Sequence, residues 1–191
     1  MKISFGRKIP KIQCQIQNKE TGKFIPATVY EVDCKDEADF QEIRKLDRKW
    51  HFRNDIALGM EQKHAIQTYL KQKSNVSFYA MKDSKGELIG LAQTKTVNGI
   101  TDINYLTTKP RNEYKYVGQT MVAAIGKETL KKGYNQLTIT TSIDETMDFY
   151  KKKCGFKQYG KYILRMNAEQ IRKSVETIEN RTKAQFINLK G

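Results

Sequence analysis

Hydrophobic and polar residues alternate most clearly at residues 11–17, where Ile12, Cys14 and Ile16 interleave with three glutamines. A period of two marks a half-buried strand. Pro10 before this stretch and the turn Glu20-Thr21-Gly22-Lys23 after it fit an ordered N-terminal arm equally well. Residues 24–32, rich in β-branched and aromatic side chains, predict a strand, and Pro26 points to a sheet edge. Asp36 then caps a predicted helix in which Phe40, Ile43 and Leu46 recur at three-residue spacing. A second helix is predicted over residues 60–72, with Ala65, Ile66, Tyr69 and Leu70 on one face.

From residue 76 the period shortens. Strands are predicted at 76–81, 88–97 and 100–108, joined by Asp83-Ser84-Lys85-Gly86 and by Asn98-Gly99, a strong hairpin signal. They read as an antiparallel meander. A polar loop follows Pro110, and a helix is predicted to begin near Gly118, burying Met121, Ala124, Ile125 and Leu130 and closing at Lys131-Lys132-Gly133. A strand at 137–141, a helix at 145–153 and a last strand or hairpin at 156–166 complete the pattern. The polar remainder carries Ile171, Val175 and Ile178 at helical spacing. The order predicts an α/β fold with a mixed, mostly antiparallel sheet flanked by helices. It divides into residues 1–23 as an arm or extra strand, 24–166 as the domain, and 167–191 as a basic tail with a helix.

Composition adds one extreme. The 191 residues carry a formal charge of +14, which steers anions, whether nucleic acid or a coenzyme with several phosphates. The same lysines also serve plain solubility. Three scattered cysteines, Cys14, Cys34 and Cys154, read as reduced thiols, and the expectation is a cytoplasmic protein. With only His51 and His64, no multi-histidine metal centre is expected.

The chemistry lies in Tyr105-Leu106-Thr107-Thr108-Lys109-Pro110 followed by Lys115-Tyr116-Val117-Gly118-Gln119-Thr120-Met121. A strand, a loop and a glycine-bearing first helical turn offer free backbone N–H groups to an anion. Gly118 keeps a Cβ out of the way of a pyrophosphate, and Lys115 adds a cation. Read alone, Gly118 is an ordinary permissive helix start. Downstream stands Phe149-Tyr150-Lys151-Lys152-Lys153-Cys154-Gly155-Phe156.

Together these segments resemble the GNAT superfamily of acetyl-CoA-dependent N-acetyltransferases. Leu106-x-Thr108-x-Pro110 is similar to its Leu-x-Val-x-Pro strand, and Lys115-x-x-Gly118-x-Thr120 to its Arg/Gln-x-x-Gly-x-Gly/Ala pyrophosphate motif. Phe149-Tyr150 with Gly155-Phe156 resembles its Phe-Tyr-x-x-x-Gly-Phe signature. The sequence departs at Lys115 and Thr120, in a loop about two residues longer than usual, and in one extra residue between Tyr150 and Gly155. Anchored on Gly155, the family's tyrosine would fall on Lys151 instead.

The resemblance implies acetyl-CoA as co-substrate and direct attack of an amine on the thioester. Leu106, Thr107 and Thr108 would hold the pantetheine, and the amides of residues 116–121 the pyrophosphate. Tyr150 would donate to the leaving thiolate. For the base, Asp102 stands eight residues before Pro110, where histone-type members carry a glutamate. Strand alternation would put Asp102, Asn104 and Leu106 on one face. Asp55, Glu61 and Asp144 lack such an argument, and Trp50-His51-Phe52 lies where the family often builds its acceptor wall. The acceptor could be a protein lysine, an N-terminus or a small amine, in a monomer or homodimer without membrane contact. Two alternatives stand: an RNA-borne amine such as aminoacyl-tRNA, or a degenerate binding module gripping nucleic acid or protein. The latter would use Arg7, Lys8 and Lys11 with Arg172, Lys173, Arg181 and Lys183.

Overall fold

The computed structural model describes residues 9–32, 76–109, 113–183 and 185–186. The two helices predicted between residues 33 and 75, with Asp55, Glu61 and the Trp50-His51-Phe52 cluster, lie outside them, as do Arg7 and Lys8. The strands are β1 (Ile9–Asn18), β2 (Phe24–Val32), β3 (Val76–Asp83), β4 (Leu88–Val97), β5 (Ile100–Thr108) and β6 (Tyr114–Lys115). Helix α1 (Val117–Lys131) leads to β7 (Gln136–Thr140), and α2 (Asp144–Asp148) runs into a π-helical turn, Phe149–Cys154. Then come β8 (Lys157–Gln158), β9 (Ile163–Asn167), α3 (Ala168–Thr182) and β10 (Gln185–Phe186).

One sheet takes them in the order β10-β1-β2-β3-β4-β5-β7-β9-β8, with β6 paired to β1. Every pairing is antiparallel except β5 with β7. The meander forms as its turns dictate. Asp83 accepts hydrogen bonds from the amides of Lys85 and Glu87, both at 2.9 Å, and Asn98 and Gly99 take φ values of 50° and 77° for the tight β4–β5 hairpin.

Residues 11–17 form a full strand of the sheet, so β2 is internal and the edge suggested by Pro26 is not there. The proline is accommodated because it pairs only with Gln15 of β1, while the β2–β3 ladder begins one residue later, at Ala27↔Asp83. Its missing N–H therefore interrupts nothing on that side.

The core lies between the sheet and helices α1 and α3, with Ile12, Met81, Met121, Ile125, Leu137 and Leu164 all fully buried. Helix α1 sits close on β4, because a Cβ at Gly90 would stand 2.5 Å from Met121 Sδ. Helix α3 opens with a reciprocal cap: Asn167 accepts from the Gln170 amide at 3.0 Å, and the Gln170 side chain accepts from the Asn167 amide at 2.9 Å. It buries Ile171, Val175 and Ile178 in the same core, each contributing about 1.5–3 kcal/mol.

A cluster of charges ties β1 and β2 to α1. Lys11 Nζ lies 2.7 Å from Glu31 and 2.8 Å from Glu128, and all three side chains are largely buried. Burial pushes the lysine pKa down, but hydrogen bonds to Glu128 and Glu31 outweigh it and the net shift is upward. Burial likewise pushes Glu31 up, yet its bond from Lys11 and the charge of Lys132 hold it below the usual range. Lys11→Ala leaves two buried carboxylates facing each other and is expected to cost about 3 kcal/mol in urea unfolding at neutral pH. The depressed Glu31 stabilises above the ordinary glutamate pKa, and that contribution fades as pH falls through the lowered value. The penalty of the variant should therefore shrink toward acid pH.

Candidate active site

Strands β5 and β7 pair only at Ile100↔Gln136, Thr101↔Leu137 and Asp102↔Thr138. Past that rung each continues, β5 to Thr108 and β7 to Thr140, without pairing to the other. The opening carries a cleft of about 760 Å³. Leu106, Thr107 and Thr108 of β5 form one wall. Residues 114–119 form the second, Glu145, Thr146, Phe149, Tyr150 and Lys153 the third, and Arg181 of α3 reaches in from the C-terminal side.

The start of α1 is built to present amides. Its N-cap, Tyr116, has φ 71° and ψ 0°, a left-handed conformation costly for a residue with a Cβ. No side chain caps the first turn, and no acidic residue stands in it. The amides of Val117, Gly118 and Gln119 thus open the helix, in a backbone concavity of the kind that binds anions. Lys115 is exposed beside them. The loop is held from outside the cleft: Lys115 and Tyr114 pair with Gln17 and Asn18 of β1 as the short strand β6.

Eight of the ten coenzyme residues suggested by the sequence therefore lie on the cleft: Leu106, Thr107, Thr108, Lys115, Tyr116, Val117, Gly118 and Gln119. Thr120 and Met121 do not. The Thr120 amide already donates to the Tyr116 carbonyl at 2.9 Å, and the Met121 side chain is fully buried against β4. Gly118 has a further reason to be glycine, since a Cβ there would approach Phe149 Cζ to 2.8 Å.

The extra residue between Tyr150 and Gly155 is absorbed as the π-helical turn Phe149–Cys154, the form a one-residue insertion into a helix takes. Gly155, at φ 86°, ends it. Both ends of the motif keep their places. Phe149 and Tyr150 face the cleft, and the Tyr150 ring meets Phe149 and Phe156 edge-on at centroid distances of 5.1 and 5.4 Å. Tyr150 is 2% exposed, whereas Lys151 is exposed and points away. Of the two positions, Tyr150 lines the cleft and Lys151 does not.

Asp102 requires a correction. Gln93 pairs with Tyr105 but Thr94 with Ile103, so Asn104 is an extra residue in β5. This bulge reverses the alternation. Leu106 shares the α1 side with Ala92, while Asp102, opposite Lys95, lies on the other face with Tyr105. Asp102, Asn104 and Leu106 do not share a face, and Asp102 does not line the cleft. It stands at the last β5–β7 rung, half-buried, and accepts a hydrogen bond from Thr138 Oγ1 at 2.8 Å. Burial raises its pKa above the usual carboxylate value, against the lowering by that bond and by Lys95.

The sequence reading missed Tyr114, Glu145, Thr146, Lys153 and the cleft role of Arg181. Arg181 carried a signal only as a tail cation; its position comes from the packing of α3 on α1. Asp144 is the exposed first residue of α2 and does not line the cleft. Among the described residues no group of three or more acidic, cysteine or histidine side chains could hold a metal ion, and no helix is long and apolar enough to cross a membrane.

Solved structures share this architecture. The PaiA N-acetyltransferase of Thermoplasma acidophilum, solved with coenzyme A, superposes with a TM-score of 0.52 at 16% identity, covering 67% of this chain and 94% of that one. The ribosomal-protein-S18-alanine N-acetyltransferase of Escherichia coli gives 0.55 at 13% identity, over 74% and 94% of the two chains. Spermidine N-acetyltransferase of Vibrio cholerae, solved with CoA and spermine, gives 0.54 at 11% identity, over 76% and 98%. No family model matches the sequence, and no curated protein matches it. The fold is that of the GNAT acyl-CoA N-acyltransferases.

Proposed function

We propose that the protein is an acetyl-CoA-dependent N-acetyltransferase. One observation carries the reading: β5 leaves β7 after the Asp102–Thr138 rung, and the cleft so opened is floored by the uncapped start of α1. The parted edge of β5 leaves main-chain groups of residues 106–108 available to an extended pantetheine arm, as a missing strand would use them. The amides of Val117, Gly118 and Gln119 suit a diphosphate, with Lys115, Lys153 and Arg181 adding charge around it.

In the reaction, the acceptor nitrogen attacks the thioester carbon, the C–S bond breaks, and the thiolate leaves. A β5 amide would polarise the carbonyl as a fixed dipole. The Tyr150 hydroxyl would give its proton to the thiolate sulfur and recover one from solvent. The ammonium proton would pass to Asp102. Asp102 and Leu106 stand four positions apart on β5 with the bulge between them, at most about 13 Å, and on opposite faces of the sheet, so the transfer runs through water and not by direct contact.

Titration with acetyl-CoA followed by a screen of amines for released thiol tests this reading; heat-silent titrations would end it. Asp102→Asn should leave donor affinity unchanged and lower kcat/KM about a hundredfold at neutral pH. Because burial raises the Asp102 pKa, the wild-type rate should climb with pH through a value above the ordinary aspartate one, and the variant should lack that limb. An unchanged profile removes Asp102 from the mechanism.

A further inference from the structure

The last strands of the sheet expose what a soluble edge ordinarily hides. β8 ends the sheet, and the β8–β9 hairpin presents Tyr159 at 66% exposure and Tyr162 at 42%, with Ile163 at 39%. Cations accompany both rings. The Arg165 guanidinium lies 3.6 Å from the Tyr159 centroid, and Lys161 Nζ lies 5.0 Å from that of Tyr162. Lysines on an edge strand are the usual guard against sheet-to-sheet pairing. Guarding accounts for Lys157 but not for exposed aromatic rings.

One feature connects this surface to the cleft. Lys151 Nζ reaches Gln158 Oε1 of β8 at 3.5 Å, and Lys153, two residues on, lines the cleft. On the sheet, Asp102, Thr138, Arg165 and Lys157 are successive cross-strand partners over β5, β7, β9 and β8. Arg165 and Lys157 thus share a face with the carboxylate at the last paired rung, on the side opposite α1.

We infer that the β8–β9 hairpin is a docking face for single-stranded RNA, which it leads toward the cleft. Open tyrosine rings flanked by Arg and Lys are the pairing that single strands use, bases stacking on rings and phosphates meeting cations. Duplexes keep their bases stacked and cannot use the rings. A second copy of this chain is disfavoured, because it would bring like charges together on a protein of net +14. The surface stands on its own residues; only its connection to the reaction rests on the acetyltransferase reading.

The test is anisotropy of a fluorescein-labelled single-stranded oligoribonucleotide about twelve nucleotides long, titrated with the full chain at several salt concentrations. Tyr159→Ala with Tyr162→Ala should weaken binding about tenfold or more, and both positions are open enough that folding is unaffected. Lys157→Gln with Lys161→Gln should reduce the log–log salt slope by about 1.4. A duplex of the same sequence and phosphatidylserine vesicles should bind more weakly and ignore the tyrosines. Oligonucleotide affinity unchanged by the tyrosine pair, or equal tyrosine-independent binding to duplex and vesicles, overturns the proposal. Acetyl-CoA titration of the same variants should match wild type, which separates failure here from failure of the donor cleft.

Discussion

Tyr150→Phe is expected to lower kcat about a hundredfold while leaving the acetyl-CoA Kd within about twofold. The ring is buried and braced edge-on by Phe149 and Phe156, so removing one oxygen should not disturb its position. On the proposed mechanism, what the variant loses is a proton for the departing sulfur. A thiolate leaving at neutral pH without a donor costs most when the acceptor is weakly basic, so the defect should deepen across a series of amines of falling pKa. Stopped-flow detection of released thiol, set beside calorimetric donor affinity, separates the two effects. Full turnover in the variant would remove Tyr150 from the chemistry and leave it a packing residue.

Gly118→Glu should raise the donor Kd by more than a hundredfold. Its side chain would start within 2.8 Å of Phe149 Cζ and set a carboxylate among amides suited to phosphate. Both effects act against binding, the second by charge repulsion. Gly118→Ala isolates the first: the methyl group must displace the Phe149 ring, and Gly118→Ala with Phe149→Leu should recover affinity by making room. Thermal melts run alongside show whether the fold survives. Undiminished donor binding by Gly118→Glu in a folded protein would mean that the diphosphate does not sit at the start of α1.

Local rules sufficed for the meander and for the glycine-bearing start of α1. Asn98-Gly99 makes its hairpin because both residues accept positive φ, and Gly118 marks the cleft because the space there admits no side chain. Features that depend on pairing between distant strands were not legible. The bulge at Asn104 has no composition of its own, and it alone moved Asp102 to the other face. Pro26 read as an edge because nothing local reveals where a neighbouring ladder starts. The π-helical turn follows from a count of residues between fixed ends; a single sequence shows the count but not how the helix absorbs it. Tyr116 gave no hint of its left-handed backbone, and Arg181 reaches the cleft only because α3 packs across α1.

The two-residue ladder between β6 and β1 bears on how such a protein can vary. A lengthened loop before a helix would normally be slack, and slack blurs the aim of the amides behind it. Stitched to the end of an N-terminal strand, the surplus becomes a splint. Shortening or replacing that strand should therefore register first as a loosened grip on diphosphate, well before the sheet itself gives way.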